Sequence, residues 1–253
     1  KSCTSRPKRL WPRCNESRWH FPFWRVPWDG HRPMPIDPFE PSEHTAALLM
    51  YLRQRFRTTP ADSVVEIGVG SGVVLATLLA AGAACGMGVD VDPEAVRRTL
   101  SLLDREALAD RAEVVQGSMW SACRGRRFDL AVANLPHFPA TSIEDAHRPS
   151  TWSCGGADGR RWLDEFLVGV VQHLRPGGAA IITHNVFVDV DRTRDLAAQH
   201  GLVVEVVHTA SAPISPAKFH AMSSSTLARY LGHAIHRVGQ HAFGDFHILD
   251  IHA

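Results

Sequence analysis

The chain has 253 residues, 45% of them hydrophobic, which is enough to bury a full core in one large domain or one domain with appendages. Its 27 basic and 26 acidic residues almost cancel, so the molecule as a whole has no general attraction for nucleic acid or membrane. No apolar run approaches the ~20 residues of a bilayer span, and the five cysteines (Cys3, Cys14, Cys85, Cys123 and Cys154) are odd in number and lack a C-x-x-C pair. That spacing argues against a disulfide framework or zinc knuckle and for a reducing, cytoplasmic setting.

Residues 1–41 read as a separate arm, with Trp11, Trp19, Trp24 and Trp28 set among frequent prolines that prevent a continuous helix. Residues 1–32 carry eight Lys or Arg against Glu16 and Asp29. Such an arm either lays its rings on the main domain or also covers a substrate. The main domain, 42–253, opens with a helix start at Pro41-Ser42, followed by Leu48, Leu49, Leu52 and Phe56 at helical spacing and Arg53, Arg55 and Arg57 near the end.

Strands are predicted at Ser63 to Ile67, Cys85 to Val89, Ala112 to Gln116, Phe128 to Ala133 and Ala179 to Thr183. Helices fall between them at Val73 to Ala81, Pro93 to Ala109 and Asp158 to Leu174, the last stopped by Arg175-Pro176-Gly177-Gly178. Asp92 and Pro93 supply the cap and first turn of the second of these helices. The alternation is that of a doubly wound parallel sheet covered on both faces. A helix at Asp189 to His200, a strand at Leu202 to Val207 and a final strand at Phe246 to Ile251 complete the pattern. The nearly forty residues from Thr209 to Asp245 read as an insert with a helix around Leu227 to His236.

The run Val64-Val65-Glu66-Ile67-Gly68-Val69-Gly70-Ser71-Gly72 is an apolar strand ending in a glycine-rich turn, where the backbone can approach a ligand closely. The dinucleotide fingerprint needs its third glycine at position 73, where Val73 stands, which disfavours a nucleotide-dependent oxidoreductase. Gly88-Val89-Asp90 ends the next strand in an acid, and Gln116-Gly117-Ser118-Met119-Trp120 ends the third. The fourth delivers Asn134-Leu135-Pro136-His137-Phe138.

The order G-x-G-x-G with an acid two residues ahead resembles motif I of the class I methyltransferases that use S-adenosylmethionine. Asn134-Leu135-Pro136-His137 resembles the N-P-P-Y motif of the enzymes that methylate amide or exocyclic amino nitrogens, including the HemK-like release-factor glutamine methyltransferases and the adenine amino methyltransferases. Phe39-Glu40-Pro41-Ser42-Glu43-His44-Thr45 is similar to their P-x-E-T segment, and Gly155-Gly156-Ala157-Asp158-Gly159 to their G-G-x-D-G turn.

The resemblance implies a Rossmann-like sheet of seven strands, mostly parallel, with the last antiparallel. It implies a cofactor, S-adenosyl-L-methionine, held by Glu66, Gly68, Gly70, Gly72, Asp90, Ser118, Met119 and Asn134, with Asp90 on the ribose and Ser118 at the place of an adenine-binding aspartate. The methyl acceptor then meets Asn134, Leu135, Pro136 and His137, with Phe138 and His184 as further substrate contacts. A conjugated nitrogen is a poor nucleophile, so the site must hold its N–H bonds and aim its lone pair. Orientation of that kind supplies ~7 kcal/mol or more of barrier reduction without a metal.

His137, where the motif has an aromatic ring, stacks on the acceptor or moves a proton. The implied activity is N-methylation of a small molecule or protein side chain. The alternatives are a nucleic-acid amino methyltransferase using the basic arm, and a cofactor-binding subunit without turnover.

Overall fold

The computed structural model describes residues 40–143 and 153–253, all within the larger of two compact units, Ile36–Ala253. Residues 1–39 of the Trp-rich arm lie outside the described residues. Helix α1 (Glu43–Thr58) starts where the sequence places it. The Ser42 side chain accepts the Thr45 backbone N–H, and the Thr45 hydroxyl accepts that of Ser42, closing a capping box. There follow β1 (Ser63–Ile67), α2 (Val73–Ala80), β2 (Cys85–Asp90), α3 (Pro93–Arg105), β3 (Ala112–Gln116), β4 (Phe128–Ala133), α4 (Arg161–His173), β5 (Leu174–Asn185), α5 (Val190–Gln199) and β6 (Val203–Ile214). The chain closes with α6 (Pro216–Ala221), α7 (Ser224–Tyr230), β7 (Ile235–Val238) and β8 (His241–His252).

The strands form one sheet in the order β3-β2-β1-β4-β5-β8-β6, with β7 pairing to β8. β1 to β5 are mutually parallel, and β8 runs antiparallel to both β5 and β6. The order reverses between β1 and β4, so the carboxyl ends of these neighbours, Ile67 and Ala133, open onto one crevice. Side-chain alternation divides the core between two faces. Val64, Leu130, Val132 and Ile181 pack with α1 and α2, whereas Val65, Ile67, Ala131 and Ile182 pack with Leu163, Phe166 and Val170 of α4.

Five expectations change. The sheet has eight strands, because β7 adds to the expected seven. Arg175-Pro176-Gly177-Gly178 ends α4 but lies inside β5, as a bulge against β4: Phe128 pairs with Leu174 and Leu130 with Ala179, while Gly177 takes φ +77°. The insert is shorter than Thr209 to Asp245, because β6 runs on to Ile214 and β8 begins at His241. β6 is the sheet edge, half of it exposed, so its distal residues need no apolar alternation and read as loop. The helix expected around Leu227 to His236 is displaced to α7, Ser224–Tyr230, and reaches only to Tyr230. Ser223 caps α7 at its start, and the helix stops at Tyr230 because Leu231 is extended and Gly232 turns at φ +86°. Likewise α3 ends at Arg105, four residues short of Ala109, where Ala107 takes φ +55°.

Candidate active site

A cleft of about 570 Å³ opens at the carboxyl ends of β1 and β4. Glu66, Gly68 and Gly70 form one wall, Asn134, Leu135, Pro136, His137 and Phe138 the floor, and His44 and Thr45 of α1 the rim. Asn185, Phe187, Ile214 and Lys218 close the far side. The volume suits a small molecule or cofactor.

The glycine turn is fixed by the adjacent strand, since Gly68 and Val69 donate their N–H groups to the Val89 carbonyl. Asp90 holds it from the other side. One carboxylate oxygen accepts the Gly70 N–H at 2.9 Å and the other the Asp92 N–H at 3.0 Å. Burial raises the Asp90 pKa, and these two bonds oppose the rise. Gly70 takes φ +50°, and a Cβ built on it meets nothing within 4 Å, so its backbone faces open space that a ligand can enter. Gly72 has another task. With φ +79°, its missing Cβ leaves room for Thr99 of α3 at 2.8 to 2.9 Å, which makes it a helix-packing glycine outside the cleft lining.

As an αL residue without a side chain, Gly72 cannot cap α2, and Glu66 supplies the cap. Its Oε2 accepts the Leu75 N–H at 2.8 Å. Only 2% exposed, Glu66 has a pKa pushed well above the ordinary range by burial, eased by the Leu75 bond and reinforced by Asp90. A cationic group in the cleft is the partner that such a carboxylate lacks.

The floor is cross-braced. Asn134 Oδ1 accepts the Thr183 hydroxyl at 2.6 Å, and its Nδ2 donates to Thr45 Oγ1 at 3.0 Å, joining β4 to β5 and α1. His137 Nδ1 lies 2.5 Å from the Leu135 carbonyl. A carbonyl only accepts, so Nδ1 carries the proton and Nε2 the lone pair. Burial first, then the neighbouring His44, pulls the His137 pKa down to about 3. The ring is neutral.

The glycine turn after the motif packs directly beneath it. A Cβ on Gly155 would stand 2.7 Å from His137 Cα, and one on Gly159 would stand 2.7 Å from the His137 carbonyl oxygen. Backbone bonds from Phe138 to Ser153 and from Gly155 to Phe138 complete the brace.

His184, expected on the substrate, is fully buried and absent from the cleft lining. Strand alternation turns it inward and brings Asn185, the next residue, to the cleft, where Asn185 Oδ1 bonds His44 Nε2 at 2.9 Å. The His184 Nδ1 proton goes to the Asn185 carbonyl, and Nε2 meets Thr193 and Arg160. Ser118 is exposed and Met119 is buried in the core, and neither lines the cleft; nor does Asp90.

Sequence reasoning missed Arg160. Only 2% exposed, it bonds Asp164, Thr193 and the carbonyls of Val188 and Asp189, pinning the loop after β5 to the glycine turn. It also missed Thr45, Thr183 and Lys218. The Thr45 signal is its place as the last residue of the P-x-E-T-like segment that runs into the first turn of α1, whereas Lys218 sits in the insert and gives none.

Residues 64–149 match the family described as Methyltransferase domain. A release factor glutamine methyltransferase of Caulobacter vibrioides is 31% identical over 148 residues, covering 54% of this chain and 50% of that protein. One from Bradyrhizobium diazoefficiens is 32% identical over 143 residues, covering 54% and 47%. The chain thus spans about half the length of these curated relatives. The crystal structure of YcgJ protein from Bacillus subtilis superposes with a TM-score of 0.56, at 13% identity, over 82% of this chain and 98% of that one, a likeness of fold alone.

The sheet order and glycine turn accompany a match of residues 64–149 to the family described as Methyltransferase domain, and the fold is that of the methyltransferase structures it resembles. Over about half of their length the chain is similar to release-factor glutamine methyltransferases. Among the described residues no helix is long and apolar enough to cross a membrane.

Proposed function

We propose that the chain is an S-adenosylmethionine-dependent N-methyltransferase acting on an amide or amino nitrogen of a protein side chain or small molecule. The observation that carries this reading is one cleft lined by both the Gly68 turn and the braced Asn134 carboxamide, with Leu135 Cδ2 at 3.4 Å from where a Gly68 Cβ would stand. The residues present fit the cofactor: open space over Gly70 admits its backbone-bound end, and buried Glu66 is matched by its ammonium group. When bound, the cofactor supplies an electrophilic methyl on a sulfonium. Asp90, beside the turn, is assigned to the ribose, and Ser118 and Met119 to the adenine end.

The chain's own part is orientation. Asn134 Oδ1 keeps a second lone pair beside its Thr183 bond, and the Leu135 carbonyl keeps one beside its His137 bond, so the two oxygens can accept both N–H groups of one nitrogen. That leaves the nitrogen lone pair aimed at the methyl group. The relatives named for release factors favour a protein side chain as acceptor. The free Cys85, Cys123 and Cys154 suit the cytoplasm. Residues 1–41 are assigned as an accessory arm and 42–253 as the catalytic domain.

The test pairs Asn134→Ala with calorimetry and radiolabelled methyl transfer into fractionated protein, nucleic acid and small metabolites. The variant is expected to bind cofactor as the parent does and to lose at least about tenfold in turnover. Unchanged turnover overturns the acceptor assignment. Label in the nucleic-acid fraction alone overturns the protein or small-molecule acceptor.

A further inference from the structure

The far side of the cleft carries a charge that methyl transfer to a neutral nitrogen leaves unused. Lys218, half-buried on α6, supplies it, and among the described residues lining the cleft no other lysine or arginine occurs. The Ser215 side chain accepts the Lys218 backbone N–H and fixes this turn of α6. Nζ stands over the Phe138 ring, 5.6 Å from its centre, beside the acceptor floor. Burial is the main cause of the depressed pKa values of His44 and His137, and the Lys218 charge adds to it at both rings; at His44 it exceeds the opposing effect of Glu43. Asn185 brings donors to the same side. Its Oδ1 accepts the His44 Nε2 proton at 2.9 Å, and His44 is itself held by stacking on Phe246 at 4.0 Å between ring centres. The carboxamide therefore cannot turn over without losing that bond, and its two Nδ2 protons meet no acceptor among the described residues. The carboxylates that line the cleft, Glu40, Glu43 and Glu66, come from α1 and its approach and from β1.

We propose, resting on the N-methyltransferase reading, that Lys218 and Asn185 form a subsite for a carboxylate carried by the acceptor molecule and so determine which nitrogen compounds are presented to Asn134. One cation matches the single charge of a carboxylate better than the double charge of a phosphate, and a planar carboxylate can take Nζ on one oxygen and Nδ2 on the other. The cofactor's own carboxylate belongs elsewhere. Glu66 matches the cofactor's ammonium, and a carboxylate on the same carbon stays at the glycine turn, across the floor from Lys218. The acceptor is thus an acidic small molecule or the carboxyl end of a chain, rather than a side chain in the middle of one.

The experiment uses the full chain saturated with S-adenosylhomocysteine, titrated in a calorimeter with three probes that share one carboxamide: acetylated glutamine, which has a free carboxylate, its neutral amide, and an acetylated tripeptide ending in glutamine. The parent is expected to bind acetylated glutamine at least about tenfold more tightly than the amide, the effect of one charge-assisted hydrogen bond. A tripeptide that binds as well as acetylated glutamine assigns the carboxylate to a chain end, and one that is excluded assigns it to a small molecule. Equal binding of acetylated glutamine and its amide, or binding of neither, overturns the proposal.

Variants locate the preference. Lys218→Met keeps a long apolar stem without the charge, and Lys218→Arg keeps a cation. With thermal unfolding as the check on folding, the first is expected to abolish the preference for acetylated glutamine over its amide and the second to retain most of it. Asn185→Asp, which can still accept from His44, is expected to lower the same preference. An unchanged preference in Lys218→Met overturns the subsite, and so does a Lys218→Met that weakens S-adenosylhomocysteine instead, because the cation then serves the cofactor. Failure of the methyltransferase reading looks different: S-adenosylhomocysteine then does not bind the parent, or Asn134→Ala leaves turnover untouched.

Discussion

Replacing Arg160 by methionine isolates the buried cation that ties the glycine turn to the loop after β5. The parent side chain donates from Nε and Nη2 to Asp164 at 3.0 and 2.6 Å, and from Nη1 to Thr193 at 2.6 Å and to the Val188 and Asp189 carbonyls at 3.0 Å each. Methionine fills similar space without donors. Asp164 keeps Arg192, and Thr193 keeps His184, so those groups stay partnered. The two carbonyls lose this donor. At ~1 to 3 kcal/mol for each buried acceptor left short, and about 1.5 kcal/mol or more for the lost charge-assisted pair, the sum is about 3.5 to 7.5 kcal/mol. Urea unfolding read by tryptophan fluorescence should show that loss, with Arg160→Lys intermediate because its point charge cannot reproduce the fork. A loss below about 1 kcal/mol refutes the view of Arg160 as a structural clamp.

Glu66→Gln should keep the cap on Leu75 while removing a buried ionisable carboxyl, so thermal stability holds or rises as cofactor affinity, read by calorimetry, falls. Unchanged affinity removes Glu66 from the cofactor site. Gly72→Ala forces a side chain against Thr99 at a φ of +79°, for an expected loss of about 2 kcal/mol in urea unfolding; a neutral result shows that α3 gives way freely. Burial holds His137 near pKa 3 in the folded chain against 6.5 for an ordinary histidine. The unfolded chain therefore binds that proton first, and stability is lost as pH falls below about 6.5 toward 3, by up to ~1.4 kcal/mol per pH unit for this ring. His137→Phe should flatten the measured dependence between about pH 6 and 4 by that slope, and an unaltered slope shows that the ring already titrates normally.

The central strands were legible in the sequence because they are buried on both faces. Every residue of β1 is buried, so Ser63–Ile67 stands out as a short apolar run with its limits at polar or glycine residues. The edge was less legible for the converse reason: β6 exposes half its residues, and Thr209, Ser211 and Pro213 are compatible with either strand or loop. At the site, local motifs delivered the glycine turn and the Asn134 floor. They could not deliver Arg160, whose partners lie on three later elements, nor decide that Asn185 rather than His184 faces the cleft. A strand carries that information only through its phase, and a one-residue error reverses the side.

On the proposed function, the braces around Asn134 also account for how neutral acceptor atoms on the cleft floor orient so weak a nucleophile. Thr45 from α1, Thr183 from β5 and the His137 Nδ1 proton each hold one atom of the floor, while Gly155 and Gly159 admit the turn beneath the His137 backbone at distances no side chain allows. The acceptor atoms are therefore fixed before any substrate arrives, and little reorganisation remains for the reacting complex. Fixing them by covalently distant partners, instead of by charge, also keeps the cleft free of a strong base that would leave competing nucleophiles activated beside a reactive methyl group. On this view the braces matter as much as the motif: Thr183→Val, which removes only the bond to Asn134 Oδ1, should lower turnover while leaving every motif residue in place.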